Sequence, residues 1–344
     1  MIINRLSETA GNLEDGRPTR RVDYRSITRT VLAMTVGSAF EGEWAYLQLA
    51  RRSMPASYKG ALDRWRGWFV HCDPQATFPR WVKTNRPGDA GPGGVYLGPL
   101  PDKHAAQRYI EMLQGAFDLC RHHNILVQAP NATACAYKEM GRCPAPCDGS
   151  VTLDSYRGQI REAAEFGSAH PRQWREKIER TMARAARDMD YETAERCRRM
   201  LDATEPSTQR KFAFVDRLEN FRFLAGMPAE DPGYARLYVV RGGWIAPVVD
   251  VPLEAQRQDL GETAAMLTDR LNESAPDASE DAIENIGLVC HHLFRPHSDK
   301  RGGIFMRCAD GISQPDLAGA LRKLRRQESA EDAEAEIAES SLEG

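Results

Sequence analysis

The sequence predicts an α+β protein built from several small domains, and three observations carry that prediction. Apolar residues recur at helical spacing in three separate stretches, 38–52, 102–120 and 171–204. Two runs, Arg236–Val240 and Trp244–Val251, flank Arg241-Gly242-Gly243 and read as a β-hairpin. Residues 121–150 lose periodicity altogether and collect Pro, Gly and Cys, the pattern of a compact irregular module.

In chain order, residues 1–27 are polar and mixed in charge, and are expected to be disordered. From Ser38 to Arg52, residues Phe40, Trp44 and Leu47 share a helical face, and Met54-Pro55 ends that helix because the residue before proline avoids the α region. Pro87 and the run 88–94 turn the chain between two expected strands, Phe78–Thr84 and Val95–Leu97. Asp102 is the expected cap of a helix with Ala106, Tyr109, Ile110, Leu113, Ala116, Phe117 and Cys120 on one face. Asp154 is expected to cap another, through Tyr156, Ile160, Ala163 and Ala164. From Pro171 a helical hairpin is predicted: Ile178, Met182, Ala185, Ala186 and Met189 line its first helix, Asp190-Tyr191-Glu192 turns the chain, and Ala194, Cys197 and Leu201 line the second. Residues 211–224 and a stretch near 253–272 are predicted helical, with mixed structure to 327. Trp65, Trp68, Trp81 and Cys197 are expected in cores.

The 344 residues are 42% hydrophobic and 28% charged, a globular rather than a disordered composition. No apolar run reaches the roughly 18 residues that span a bilayer, and the N-terminus lacks the apolar stretch of a signal peptide. A cytoplasmic protein with no membrane partner is therefore expected. The net charge of −3 conceals two opposed parts. Residues 328–344 hold seven carboxylates and no Lys or Arg, which leaves +4 on the rest. That tail is expected to be a solvated, disordered segment or a frayed helix end, and the global balance does not exclude nucleic acid.

Eight cysteines without a secretory signal argue against a disulfide framework. Cys120, Cys135, Cys143 and Cys147 fall within 28 residues, spaced C-x14-C-x7-C-x3-C. Four soft thiolates suit zinc or an iron–sulfur cluster; the alternative is a set of small buried or reduced surface thiols. Arg180, Arg184 and Arg187 recur at i, i+4 and i+7, an exposed stripe able to meet DNA phosphates or simply to stay solvated. His291, His292 and His297, near Cys290 and Asp299, match no zinc spacing and are read as surface or core histidines.

These motifs resemble those of the UvrC family, the incision subunit of bacterial nucleotide excision repair. Val95-Tyr96-Leu97-Gly98-Pro99-Leu100-Pro101 is similar to the family segment that follows its GIY-YIG nuclease domain. Ala134-Cys135, Tyr137 and Met140-Gly141-Arg142-Cys143-Pro144-Ala145-Pro146-Cys147 resemble the family's cysteine block, and Asp154-Ser155-Tyr156 the helix start after it. Met182, Ala185, Ala186, Asp190, Tyr191, Glu192, Ala194 and Arg198 resemble the UVR motif, the hairpin through which UvrC engages UvrB. The resemblance spans about residues 36–205.

It implies a degenerate, truncated GIY-YIG-like domain at 28–118, a Cys-rich module at 119–150, a helical region at 151–205 with its UVR hairpin at 174–204, a small α+β C-terminal domain at 206–327, and the acidic tail at 328–344. It further implies a [4Fe–4S] cluster on Cys120, Cys135, Cys143 and Cys147, with zinc second, and docking on UvrB or a UvrB-like helicase through Met182, Ala185, Ala186, Tyr191, Glu192, Ala194 and Arg198. The nuclease motifs depart from the pattern. No G-[IV]-Y/Y-[IV]-G strand pair precedes residue 40, and the family's metal-binding glutamate aligns with Tyr46, the first acid of its helix with Glu41 and a slipped register with Glu43. No D-x-S-H motif of the second, RNase H-like site occurs, and Asp250 and Asp259 lack partners for one. The expectation is a repair accessory with weak or no nuclease activity and DNA as a partner. The alternatives are an endonuclease with an altered site, using Mg²⁺ or Mn²⁺, and a UVR adaptor outside repair.

Overall fold

The computed structural model describes residues 28–31, 33–88, 93–168, 171–273, 280–295, 303–309 and 311–340. The predicted N-terminal disorder, most of the turn at 88–94, His297 and Asp299 lie outside them. Two four-stranded antiparallel sheets organise the chain from Gly37 onward. The first, in order β2-β1-β3-β4, uses Trp68–Cys72 (β1), Val82–Thr84 (β2), Val95–Leu100 (β3) and Asp216–Arg217 (β4). The second, in order β7-β6-β5-β8, uses Arg222–Pro228 (β5), Tyr234–Arg241 (β6), Trp244–Pro252 (β7) and Ile304–Arg307 (β8).

The amphipathic helices form where their periodicity places them: α1 at Ala39–Ser53 and α2 at Lys103–Ala116, the latter capped by Asp102 accepting from the amides of His104 and Ala105 at 2.7 and 2.8 Å. Two single turns, α3 (His123–Leu126) and α4 (Ala136–Glu139), stand in the cysteine module. Helix α5 runs Leu153–Ser168, α6 Pro171–Arg187, α7 Tyr191–Thr204, α8 Gly261–Asn272, α9 Glu280–Leu293 and α10 Gln314–Ser340. The cap of α5 is Thr152, whose hydroxyl accepts from Ser155, so Asp154 sits inside the first turn and not at the cap.

Two further expectations are corrected. Residues 211–224 are not a helix: they form 3-10 turns at Arg210–Phe212 and Leu218–Asn220, the two-residue strand β4 and the start of β5. Apolar residues at i and i+3 fit the three-residue turn of such segments as well as an α-helix. The expected strand Phe78–Thr84 shrinks to Val82–Thr84, while its neighbour β1, between Trp65 and Cys72, went unread. Of the two readings of the acidic tail, the helix end is the one seen: α10 continues through Ser340, in keeping with the helix preference of its alternating Ala and Glu.

The second sheet is covered on both faces. Phe223, Ala225, Met227, Tyr238 and Val240 face a core shared with Phe40 and Leu47 of α1 and Ile286 and Val289 of α9. Leu224, Leu237 and Val239 face the opposite core with Leu267 of α8 and Leu321 of α10. A third core joins β1 and β3 to α2, α5 and the base of α6 and α7. Gly242 and Gly243, at φ +51° and +87°, close the predicted β6–β7 hairpin as a two-residue loop.

Helix α9 passes so close to the chain at Trp65 that a Cβ on Gly287 would sit on the Trp65 carbonyl oxygen. Gly287→Ala is expected to destabilise the fold by ~1–3 kcal/mol in urea titration. Gly158, inside α5 with only Arg161 Nη2 at 4.0 Å from such an atom, should gain ~0.5–1 kcal/mol as alanine.

Candidate functional site

The cysteine module is held by turns rather than by a packed stripe. Ala145 and Gly149 take left-handed conformations at φ +56° and +79° on either side of the 3-10 turn Pro146–Asp148. The amide of Ala132 donates to the carbonyl of Cys147 at 2.9 Å, that of Arg142 to Tyr137 at 2.8 Å, and the amide of Cys120 to the buried Tyr156 hydroxyl at 3.2 Å. Cys143 and Cys147 are buried; Cys120 and Cys135 are half-buried. The Cys120 thiol donates to the His122 carbonyl at 3.6 Å; the neighbouring Cys143 and burial raise Cys120, while Cys120, the Ala145 amide and the charge of Arg121 hold Cys143 below the usual thiol value against its burial. Burial, with the charges of Asp148 and Cys143, pushes Cys147 up, and Cys135 acts on it from further away. The module therefore brings Cys120, Cys143 and Cys147 within electrostatic reach of one another. Among the described residues, no three His, Cys, Asp or Glu side chains converge as a metal-ligating group. The four thiols have the donor chemistry of a soft metal centre.

The hairpin has a buried base and an exposed tip. Trp174, Ile178, Cys197, Met200 and Leu201 are buried in the core that holds α2, so the apolar side of the hairpin's base is covered by the chain itself. Towards the tip, Ala185 is buried, Met182 and Ala194 are half-buried, and Ala186, Tyr191, Glu192 and Arg198 are exposed. Asp190 caps α7 by accepting from the Thr193 amide at 3.1 Å. Met189 at the turn, at φ +58°, is 72% exposed and Tyr191 71%, the two most exposed large apolar side chains described. Sequence reasoning placed Met189 on the inner face; the left-handed turn swings it out. Arg198 is tied along its own helix to Glu195 at 2.7 Å and Asp202 at 3.1 Å. Arg180, Arg184 and Arg187 are exposed, and among the described residues none meets a carboxylate.

The acids and tyrosine at the expected nuclease positions are spoken for. Glu41 accepts from Arg236 and, at 3.0 Å, from the Gly37 amide, while Arg236 also makes two 2.8 Å bonds to Asp250. Glu43 accepts from Trp65 Nε1 at 3.0 Å and from buried His292 Nε2 at 2.9 Å, with Arg295 at 3.5 Å. Tyr46 packs edge-on to Trp65, ring centres 6.2 Å apart. Both carboxylates join α1 to the C-terminal half of the chain.

Burial raises the Glu43 carboxyl, but the His292 bond and the charges of His292, Arg295 and His291 outweigh it, so its pKa lies below the ordinary value. A depressed folded value gives stability that is present above the unfolded pKa, about 4.3, and lost as pH falls through the folded one. The stability gap between wild type and Glu43→Gln is therefore expected to be full above about pH 5 and to close in acid, as read by urea midpoints across pH.

Comparison with known proteins matches residues 68–166 to the family described as "UvrC/Cho excinuclease, middle domain". All four clustered cysteines lie inside that match; α1 and the hairpin lie outside it. The chain is similar to UvrABC system protein C of Desulforudis audaxviator, 25% identical over 329 residues, which cover 90% of this chain and 52% of that protein. It is also similar to that of Methylobacillus flagellatus, 28% over 167 residues (48% and 27%), and of Shewanella halifaxensis, 32% over 124 residues (36% and 19%). The first of these likenesses extends well beyond the 36–205 expected from motifs. The chain spans about half or less of the length of these relatives. No solved structure matches it. Among the described residues, no helix is long and apolar enough to cross a membrane.

Proposed function

Because this chain belongs to the UvrC family through its middle domain, we propose that it serves nucleotide excision repair as an accessory that docks on UvrB, or a UvrB-like helicase, and cleaves DNA weakly or not at all. The observation that carries this reading is the hairpin, whose base is fixed in the core while Met189 and Tyr191 stand in solvent. A short helical hairpin with exposed apolar residues at a rigid tip suits a second hairpin of the same kind. The engagement of Glu41 and Glu43 by Arg236, Trp65 and His292 supports the low-activity part, since neither is available to a divalent cation without breaking those bonds.

The same reading assigns Cys120, Cys135, Cys143 and Cys147 to a [4Fe–4S] cluster, with zinc as the alternative. A cluster there supplies the crosslink that the irregular turns between the cysteines otherwise lack. Arg180, Arg184 and Arg187 are assigned to DNA phosphates, and the protein to the cytoplasm, where thiols stay reduced.

The test is capture of purified UvrB on the immobilised full chain, followed by incubation of the complex with lesion-bearing duplex and Mg²⁺ or Mn²⁺. Capture without specific incision is expected. Incision abolished by Glu43→Gln or Tyr46→Phe would establish the endonuclease reading instead, and failure to capture UvrB would remove the docking role. Iron and sulfide in anaerobically purified protein are expected; zinc alone ends the cluster assignment.

A further inference from the structure

We propose that the outer face of the cysteine module, formed by Arg121, His122, Tyr137 and Arg142, is a second DNA-binding surface that takes the phosphodiester backbone. It rests on the repair reading above but is separate from the Arg180–Arg184–Arg187 stripe, which lies on the hairpin.

The charges around the module are unequally compensated. Arg196 pairs with Glu162 at 3.1 Å, Arg198 with Glu195 and Asp202, and Arg199 with Asp118 at 3.8 Å. Lys138 pairs with Asp148 at 2.6 Å. Arg121 and Arg142 have no carboxylate at pairing distance among the described residues. Asp118 feels both from beyond pairing distance but faces Arg196 and Arg199 as well, and Glu195, already bonded to Arg198, also feels Arg142. Two guanidiniums at this junction are thus left without an ion pair among the described residues.

Arg121 is also held in place without being neutralised. Its Nη1 donates to the carbonyl oxygens of Arg142 at 3.1 Å and Leu119 at 3.5 Å, and its guanidinium lies 4.5 Å over the Tyr137 ring. The exposed His122 ring lies 5.7 Å from the Tyr137 ring, centre to centre. Arg142 is exposed, and its side chain makes no hydrogen bond among the described residues. A flat cation pre-ordered on an aromatic ring, beside a second exposed cation, is an arrangement that meets successive phosphates of a nucleic-acid backbone.

The surface is also linked to the hairpin. Arg199 of α7 donates to the carbonyl of Gly141 at 3.2 Å, one residue before Arg142. DNA held on the module and a partner held at the hairpin tip would therefore be carried by one packed unit.

The experiment titrates a fluorescein-labelled 30-base-pair duplex with the full chain at several NaCl concentrations. Wild type is compared with Arg121→Gln/Arg142→Gln, Arg121→Lys/Arg142→Lys and Arg184→Gln/Arg187→Gln. The glutamine pair on the module is expected to weaken binding about tenfold at 100 mM salt and to make the log–log salt slope shallower by about 2. The lysine pair should keep the slope, since it keeps both charges. If the glutamine pair lowers the melting temperature, Arg142→Gln alone decides, with a slope change of about 1 expected. Unchanged affinity and slope in the module variants, with wild type binding DNA, would overturn this surface and leave the repair reading standing. No DNA binding by wild type at low salt would overturn both. Loss confined to the hairpin pair would place DNA on the hairpin only.

Discussion

Glu284→Ala is expected to lower the stability of the fold by about 3–5 kcal/mol, the cost of leaving one member of a buried ion pair without its partner. The Arg51 and Glu284 side chains are only 9% and 7% exposed, and Arg51 Nε donates to Glu284 Oε2 at 2.7 Å. The Tyr58 hydroxyl donates to the other carboxylate oxygen at 3.0 Å. Arg51 Nη2 reaches the Asp281 carbonyl at 3.0 Å and Asn285 Oδ1 at 3.1 Å, and Asn285 in turn donates to the Gly243 carbonyl at 2.9 Å. Alanine leaves a buried guanidinium and a buried phenol unmatched, and the carboxylate of Asp281, 3.5 Å from Arg51 but 64% exposed, is too well solvated to substitute.

Urea titration of three variants separates the causes. Glu284→Gln, which keeps acceptors but no charge, should cost less than alanine. Arg51→Met/Glu284→Leu should be close to neutral or stabilising, because it removes the desolvated pair whole. Lys59→Ala, from the solvent-exposed pair with Glu280 (58% and 52% exposed), should fall within about 1 kcal/mol of wild type. An alanine effect at Glu284 no larger than that of Lys59 would mean the network does not lock α1 to α9.

The second large effect is at the hairpin tip. Met189→Glu/Tyr191→Glu is expected to weaken UvrB capture by roughly 30-fold or more, since central aromatic and Met anchors contribute about 2 kcal/mol or more each at interfaces. Neither side chain supports the fold, so the melting temperature should hardly move. Met189→Gly makes the sharper test. A methionine at φ +58° holds a left-handed backbone at a cost of roughly 1–2 kcal/mol, which glycine relieves. Stability should therefore rise by about 1 kcal/mol, net of glycine's own entropy, while capture weakens. If the glycine variant captures UvrB as well as wild type, the methionine is no anchor.

How much of this was legible depended on how far apart the interacting residues lie. Helices α1 and α2 and the hairpin carry their own periodicity and caps, so Phe40, Asp102 and Asp190 announce them. Strand β5 was misread because it is buried on both faces: Phe223, Leu224 and Ala225 form a continuous apolar run with no alternation to signal a strand. The cysteine spacing marked out an irregular module, yet spacing alone could not say that Cys143 and Cys147 are buried while Cys120 and Cys135 are half-buried. The partners of Glu43 were beyond reach altogether, since His292 lies 249 residues away and nothing local in either segment names the other. Arg121 was missed for a related reason. Its significance lies in lacking a carboxylate, and only the folded arrangement shows which charges remain unmatched.

The position of α1 has a consequence for how the protein is made. Its apolar face, Phe40, Leu47 and Ala50, is covered by β5, β6 and α9, and its arginine meets Glu284 across 233 residues of chain. At about 5–20 residues per second, a ribosome needs roughly 10–50 seconds after finishing α1 to deliver that partner. Through that interval the helix has no proper lodging, and its exposed aromatic face invites aggregation or a chaperone. This helix is thus made early and housed late, and chains stalled before Glu284 should be caught by chaperones at α1.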